Sequence, residues 1–524
     1  MAVRKAAPAR RAGTGAGPGR AAAGAGIVAV AAALVAAGTL AGPGGAGRTV
    51  AAPPVEVPAA DLAAVCAAPP RLLSGDVAGT DAQFSPASES ARTRVKSLVL
   101  AEAGSAAPGA RLDTLAGETV RALGGSDEPP LTNVRGAAAL PAQEVGAATV
   151  LRVDPAGVRQ ALANAQLTFT ADDGDLTGLA AANCQAPGND VWLAGARTTV
   201  GVSTVLQLTN ASATAASVDL DIYTGEGPVQ SAGTRGLAVA PGQTRSVVLA
   251  GLAAGQDAVA VHVRSSGGPV AAVIQQNILR GLTPGGVELI QPAASPAQRQ
   301  VIPGLRLQPA QDSARLSRDR YASAASAVQV TVPGTTPASV TVRAIGTDGR
   351  GQVVAERSDV PAGRSALLPL DLPAGSWTLE VTADVPVLAA AVFSRGTDPE
   401  APADFAVAPS AARLSGEQLA LIPAAGTASL VLTAPAGAAE VQLVALGADG
   451  AVAGERLLDL AADGTVTIAP SDVGGDGTSA LLISSAGDEV YAAQVVTTGE
   501  TGISTLPVPR GSIGGRSVEV GLGY

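Results

Sequence analysis

Val218-Asp219-Leu220-Asp221-Ile222-Tyr223-Thr224-Gly225-Glu226-Gly227 is the stretch on which the fold turns, because two later segments repeat its plan. They are Val340-Thr341-Val342-Arg343-Ala344-Ile345-Gly346-Thr347-Asp348-Gly349 and Val441-Gln442-Leu443-Val444-Ala445-Leu446-Gly447-Ala448-Asp449-Gly450. Each reads as a strand running into a turn, with a glycine nine positions after the opening valine. A second turn glycine follows at Gly242, Gly363 and Gly464. Each copy then closes on an apolar run, Val270 to Ile274, Val387 to Val392 and Val490 to Val496. The copies start 122 and 101 residues apart, a period that fits a complete sandwich domain of ~100 residues.

Alternation gives the physical reason for strands. In Val259-Ala260-Val261-His262-Val263 and Trp377-Thr378-Leu379-Glu380-Val381 large apolar residues occupy every second position, so one face of a pleated strand is apolar and the other small or polar. The dipeptides Asp348-Gly349, Asp449-Gly450 and Asp463-Gly464 suit tight hairpins that need positive φ. The expected fold is therefore mainly β: tandem antiparallel β-sandwich domains of immunoglobulin-like type at 186–297, 298–422 and 423–524. Residues 61–185 are less regular and read as a divergent N-terminal β domain, with strands at 94–100 and 148–153. A short helix is expected over 156–165, behind the cap Asp154 and the helix-starting Pro155.

Composition narrows the function. The 524 residues carry 44 acids, 34 Lys or Arg and one His, a formal net charge of −10. This acidic excess repels phosphates, so nucleic acid is not an expected partner. A single His and two Cys cannot build a multi-histidine or thiolate zinc site. Only ten side chains are aromatic, so cores must be made from Ala, Val and Leu, and a sugar cleft lined by several aromatic platforms is hard to assemble.

The first fifty residues point to export. Arg4, Lys5, Arg10, Arg11 and Arg20 precede an uncharged stretch from Ala21 to Gly47. A basic cytoplasmic segment at 1–20 would be followed by an apolar segment at 21–41, which as a helix is ~31 Å long and just spans a ~30 Å hydrocarbon layer. Two readings stand: an uncleaved transmembrane anchor, or a signal segment cut after Ala51. In both, the residues beyond about 50 are delivered outside, and 42–60, rich in Gly, Pro and Ala, acts as a flexible spacer. Cys66 and Cys184 then both lie where a disulfide persists. Their pairing would close a loop worth about 4.7 kcal/mol in the chain-entropy model.

The segment Gly178-Leu179-Ala180-Ala181-Ala182-Asn183-Cys184, then Trp192, Leu206-Gln207-Leu208-Thr209-Asn210, the Val218 strand and Gly267-Gly268-Pro269-Val270 together resemble an exported actinobacterial family, domain-of-unknown-function family 5719. The resemblance covers roughly residues 60 to 510. It implies an envelope location and a role near envelope polysaccharide, and it supplies no catalytic residues.

Candidate chemistry is sparse. His262, the single imidazole, points away from Val261 and Val263 and reads as a surface strand residue with no Gly-x-Ser-x-Gly elbow to serve. Asp172, Asp173 and Asp175 surround a glycine in the oxygen-rich manner that suits Ca²⁺, yet the closing Glu of a twelve-residue loop is missing. An ordinary acidic turn is the expectation, with calcium left open. Trp192 and Trp377 are expected to fill sandwich cores. The sequence thus predicts no catalytic residue and no cofactor. It points to a membrane-anchored, non-enzymatic scaffold or binding module facing an envelope protein or glycan. The alternatives are a carboxylate-dependent enzyme or accessory acting on envelope polysaccharide, and a surface adhesin.

Overall fold

The computed structural model describes residues 55–57, 61–72, 88–125, 135–155, 160–317, 324–511 and 516–518. The chain divides into two units, Met1–Glu56 with Ser517–Tyr524, and Val57–Arg516. Val55–Val57 and Arg516–Val518 form a two-stranded sheet, so part of the expected spacer is strand. The expected basic segment and apolar segment at 1–41 lie outside the described residues. Among the described residues no helix is long and apolar enough to cross a membrane.

The last eight strands of the larger unit set the pattern. They are Gln418–Leu421, Thr427–Ala434, Ala439–Leu446, Val452–Leu460, Gly464–Ile468, Ala480–Gly487, Tyr491–Thr498 and Gly502–Pro507. Numbered within the set, they pair in the order first, sixth, third, fourth in one sheet and fifth, second, seventh, eighth in the other. Leu430 and Leu432 from one sheet share a core with Val441, Leu443, Leu481 and Ile483 from the other, which makes the set a two-layer sandwich. The valine repeat is its third strand: Val441, Leu443 and Ala445 are buried while Glu440 and Gln442 face out. In the two earlier copies Val218, Leu220 and Ile222, then Val340, Val342 and Ala344, are buried in the same alternation.

The same strand order recurs over 190–290 and over 62–183. In 297–409 the sixth and seventh positions fuse into one 21-residue strand, Gly375–Arg395, which pairs in both sheets. The N-terminal region is therefore the same sandwich as the other three, recognisable by its pairing though not by its spacing. Its strand Arg92–Ala103 covers the one expected at 94–100, and Thr149–Val153 starts one residue inside the one expected at 148–153. The expected helix over 156–165 is not formed where it can be seen: Leu162 begins the strand Leu162–Ala171, and 156–159 are outside the described residues. Pairing against Arg92–Ala103 outweighs the local helix-start signal. The partition of strands also differs from the immunoglobulin fold, in which the first two strands share a sheet; here they lie in opposite sheets. Strand Gln418–Leu421, placed before the expected boundary at 423, pairs with Ala480–Gly487 of the last set.

The four sandwiches close into a ring. The eighth strands, Gly178–Asn183, Thr283–Ile290, Asp404–Pro409 and Gly502–Pro507, touch one another in sequence order, and the fourth returns to touch the first. Around this axis the first strands of the second, third and fourth sets lie on the second sheet of the next. Asp190–Ala196 packs on Gly375–Arg395, Ala297–Leu307 on Tyr491–Thr498, and Gln418–Leu421 on Leu162–Ala171. Buried amides satisfy the backbone at these joints, since sandwich cores leave N–H and C=O groups no water. Gly195 N donates to Gln329 Oε1 at 2.9 Å, Ala68 N to Gln207 Oε1 at 3.2 Å, and Asn164 Nδ2 to the Leu419 carbonyl at 2.9 Å.

Turn chemistry follows the sequence with one exception. Gly349 and Gly450 take φ of 71° and 79°, as their Asp-Gly turns require, but at 463–464 it is Asp463 that adopts positive φ, at 57°. Asp is among the few non-glycine residues that tolerate this region.

Candidate functional site: an aromatic and ionic patch on the second sandwich

Cross-strand register assembles the patch. Asp190–Ala196 pairs with Val259–Gly267, setting Trp192 opposite His262 and Asp190 opposite Arg264. On the other side Ala216–Thr224 sets Asp221 opposite His262 and Asp219 opposite Arg264. Val261 and Val263 point into the core, so alternation puts His262 on the outer face of the sheet. The Trp192 and His262 rings stack with centroids 3.7 Å apart and 7° between planes, and Tyr223 lies 6.2 Å from Trp192. His262 does sit on the outer face, but Trp192 covers it and leaves it only 9% exposed. Trp192 itself is half-buried on that face and does not fill the core between the sheets. Trp377 is likewise half-buried at the margin of the third core, its indole N–H donating to the Pro373 carbonyl at 3.0 Å.

Charge is fixed around the rings. Arg264 Nε donates to Asp221 Oδ2 at 3.1 Å, and Arg235 Nη2 lies 2.7 Å from Asp221 Oδ1. Partial burial pushes the Asp221 carboxyl up, and the bonds from Arg235 and Arg264 more than offset it, leaving it below the usual carboxylate range. The Tyr223 hydroxyl is raised by burial and by the neighbouring Asp221 charge. His262 Nε2 stands 3.2 Å from Asp190 Oδ2 and Nδ1 3.6 Å from Asp221 Oδ2. Asp221, held ionised by two guanidinium groups, is poorly suited to donate a proton. The patch can present an aromatic edge, the exposed Asp190 carboxylate and the half-exposed Arg264 and Arg235 to a partner.

The acidic turn has another use. Asp173 accepts from the Ser88 hydroxyl at 2.5 Å, from the amides of Glu89 and Ser90 at 3.1 Å each, and from the Ser90 hydroxyl. Those bonds, the two serine hydroxyls first, hold its carboxyl well below the usual range. Asp172 gives its amide to Ser90 Oγ at 2.8 Å, and partial burial raises Asp175. The three do not converge, and among the described residues no group of three His, Cys, Asp or Glu could hold a metal ion. The turn instead ties residues 88–90 to the hairpin that follows Ala171.

Cys66 and Cys184 form the disulfide, with Cα atoms 4.1 Å apart. It joins the first strand of the first sandwich to the residue just past its eighth.

Sequence reasoning missed a second ionic cluster, between the third and fourth sandwiches. Glu380, 7% exposed, accepts from Arg299 Nε at 2.6 Å and from Arg343 Nη2 at 2.6 Å. Arg343 Nη1 reaches Asp463 at 2.6 Å and Arg299 Nη1 reaches Glu489 at 2.8 Å. Tyr491 donates to Glu489 at 3.1 Å and its hydroxyl is pushed up to about 12, by burial first and then by that carboxylate. Alternation in Trp377–Val381 put Glu380 on one face of its strand, but nothing local named its partners.

No curated protein and no solved structure matches the chain. A family described as a family of unknown function (DUF5719) matches residues 139–471. That span contains the second and third sandwiches whole, with parts of the first and fourth. The chain belongs to this family, DUF5719.

Proposed function

We propose that this protein is a non-enzymatic binding module of the cell envelope, exported or anchored by its N-terminal segment, in which the ring of sandwiches holds the Trp192 patch toward an envelope glycan. The observation that carries the reading is the patch itself: a half-buried indole braced on His262, flanked by Asp190, Arg264 and Arg235. Apolar sugar faces stack on an aromatic ring while hydroxyls bond to carboxylate and guanidinium groups. Support for export comes from the five basic residues ahead of an uncharged stretch, from the disulfide, and from the resemblance to an exported actinobacterial family. The non-enzymatic reading rests on Asp221 being locked in ion pairs beside the single imidazole.

Tryptophan fluorescence tests this directly. In a Trp377→Phe background Trp192 is the sole indole. Titration with purified envelope polysaccharide is expected to change its emission saturably, and Asp190→Ala is expected to weaken binding about tenfold. A flat titration, with in-cell crosslinking that captures the same partners from a Trp192→Ala variant, rejects the patch. Glycan turnover by the purified protein that disappears in Asp190→Asn rejects the non-enzymatic reading.

A further inference from the structure

Three of the four eighth strands carry glycine where they meet the axis, Gly178, Gly286 and Gly502, and the third sandwich carries Asp404. The carboxylate occupies the space that Gly178 and Gly286 leave. A Cβ at Gly286 would lie 2.1 Å from Asp404 Oδ1, and one at Gly178 would lie 3.0 Å from it. The residue after each axial position turns its backbone N–H to this one side chain. Leu179 N and Ile503 N donate to Oδ2 at 2.8 and 3.1 Å, and Phe405 N and Val287 N to Oδ1 at 2.9 and 3.2 Å. One donor comes from each sandwich, and Asp404 is wholly inaccessible to solvent.

We propose that the ring axis is an anion cradle of four backbone amides which the chain fills with its own carboxylate, and that this occupancy latches the fourth sandwich onto the first. The donor set is the argument: four N–H groups, two on each oxygen, match an ionised carboxylate. Burial pushes the Asp404 carboxyl well above the usual carboxylate range, and the four amides offset only part of that rise. The nearby Glu288 carboxyl is itself raised, by burial first and further by the Asp404 charge. A further link repeats the connection between the same sandwiches. Ser504 Oγ accepts from Ala181 N at 3.0 Å and donates to Glu288 Oε1 at 2.9 Å. Covalent continuity already holds the second and third sandwiches beside each other, whereas Leu179 and Ile503 are brought together only by folding. Emptying the cradle therefore costs most at that closing joint.

The full chain with Asp404→Gly has glycine at all four axial positions and an unfilled cradle. Its melting temperature is expected to fall by on the order of 5 °C or more. Sodium formate is expected to restore it with a saturating dose response that wild type lacks, whereas neutral formamide and sodium chloride at equal concentration do not. Wild-type melting in the variant, or an equal formate effect on both proteins, overturns the proposal. If the variant does not accumulate folded, hydrogen exchange on wild type decides. The amides of Leu179, Val287, Phe405 and Ile503 are expected to exchange together and among the slowest in the chain. Faster exchange at Leu179 and Ile503 than at Val287 and Phe405 would show that the carboxylate does not hold the joint.

Discussion

The joint between the third and fourth sandwiches and the joint between the fourth and first both pack apolar side chains, but the former adds a network of ion pairs and the latter the pair Arg135–Glu417. At the former, Glu380 gathers Arg299 and Arg343, which reach on to Glu489 and Asp463. At the latter, Leu98, Leu100 and Leu162 of the first sandwich meet Leu419, Leu421, Leu446 and Leu482 of the fourth. Ions impose geometry on neighbours that the chain already holds close, whereas the closing joint links residues 255 to 383 apart in its bonds from Asn164 to the Leu419 carbonyl and from Lys96 to the Ser479 carbonyl. Bringing such segments together costs loop-closure entropy, and burial of apolar surface is the larger and less geometrically demanding source of free energy to offset it.

Three measurements break or sharpen this contrast. Leu421→Ala removes a side chain 1% exposed at the closing joint and should cost about 3–4 kcal/mol, read as a lower denaturation midpoint, with little response to salt. A loss below ~1 kcal/mol would mean that the leucines are not what closes the ring. Glu380→Ala leaves two guanidinium groups without their shared partner. Because Arg299 and Arg343 retain side-chain exposures of 29% and 26%, the expected cost is nearer ~2 kcal/mol than the 3–5 kcal/mol of a fully buried pair. A double-mutant cycle with Arg343→Ala should show coupling.

The smallest effect is electrostatic and sits inside the apolar joint. Lys96 donates to the carbonyls of Ile422 and Ser479 at 3.1 Å each, and burial pushes its ammonium down to about 8 from 10.5. Between these values the unfolded chain keeps a proton that the folded chain has released. Stability should therefore rise with pH from about 8 toward 10 through this group and be independent of it below. Lys96→Met should remove that slope, as denaturant midpoints at pH 7, 8.5 and 10 would reveal. An unchanged slope would place Lys96 in solvent and out of the joint.

Legibility in the sequence followed the range of the interactions. Third strands, their turn glycines and the Cys66–Cys184 pair could be read because alternation, positive φ and cysteine count are properties of a few residues at a time. The first sandwich lacked the repeat's spacing, and only pairing reveals its kinship to the others. Trp192 was misplaced because alternation says which residues share a face but not which face the second sheet covers. The buried Gln and Asn side chains at the joints gave no local signal at all, since they serve the backbone of another sandwich.

By itself, the amino-acid order determined that this is a mainly β chain of repeated two-layer units rich in small and branched cores, tied by one disulfide. That much is written in periods of two residues and of about a hundred. The closed ring, the carboxylate at its axis and the stacked patch on its second sandwich were decided only in three dimensions. Each depends on groups far apart in the chain whose N–H, carboxylate and ring surfaces acquire partners only when every sandwich is in place.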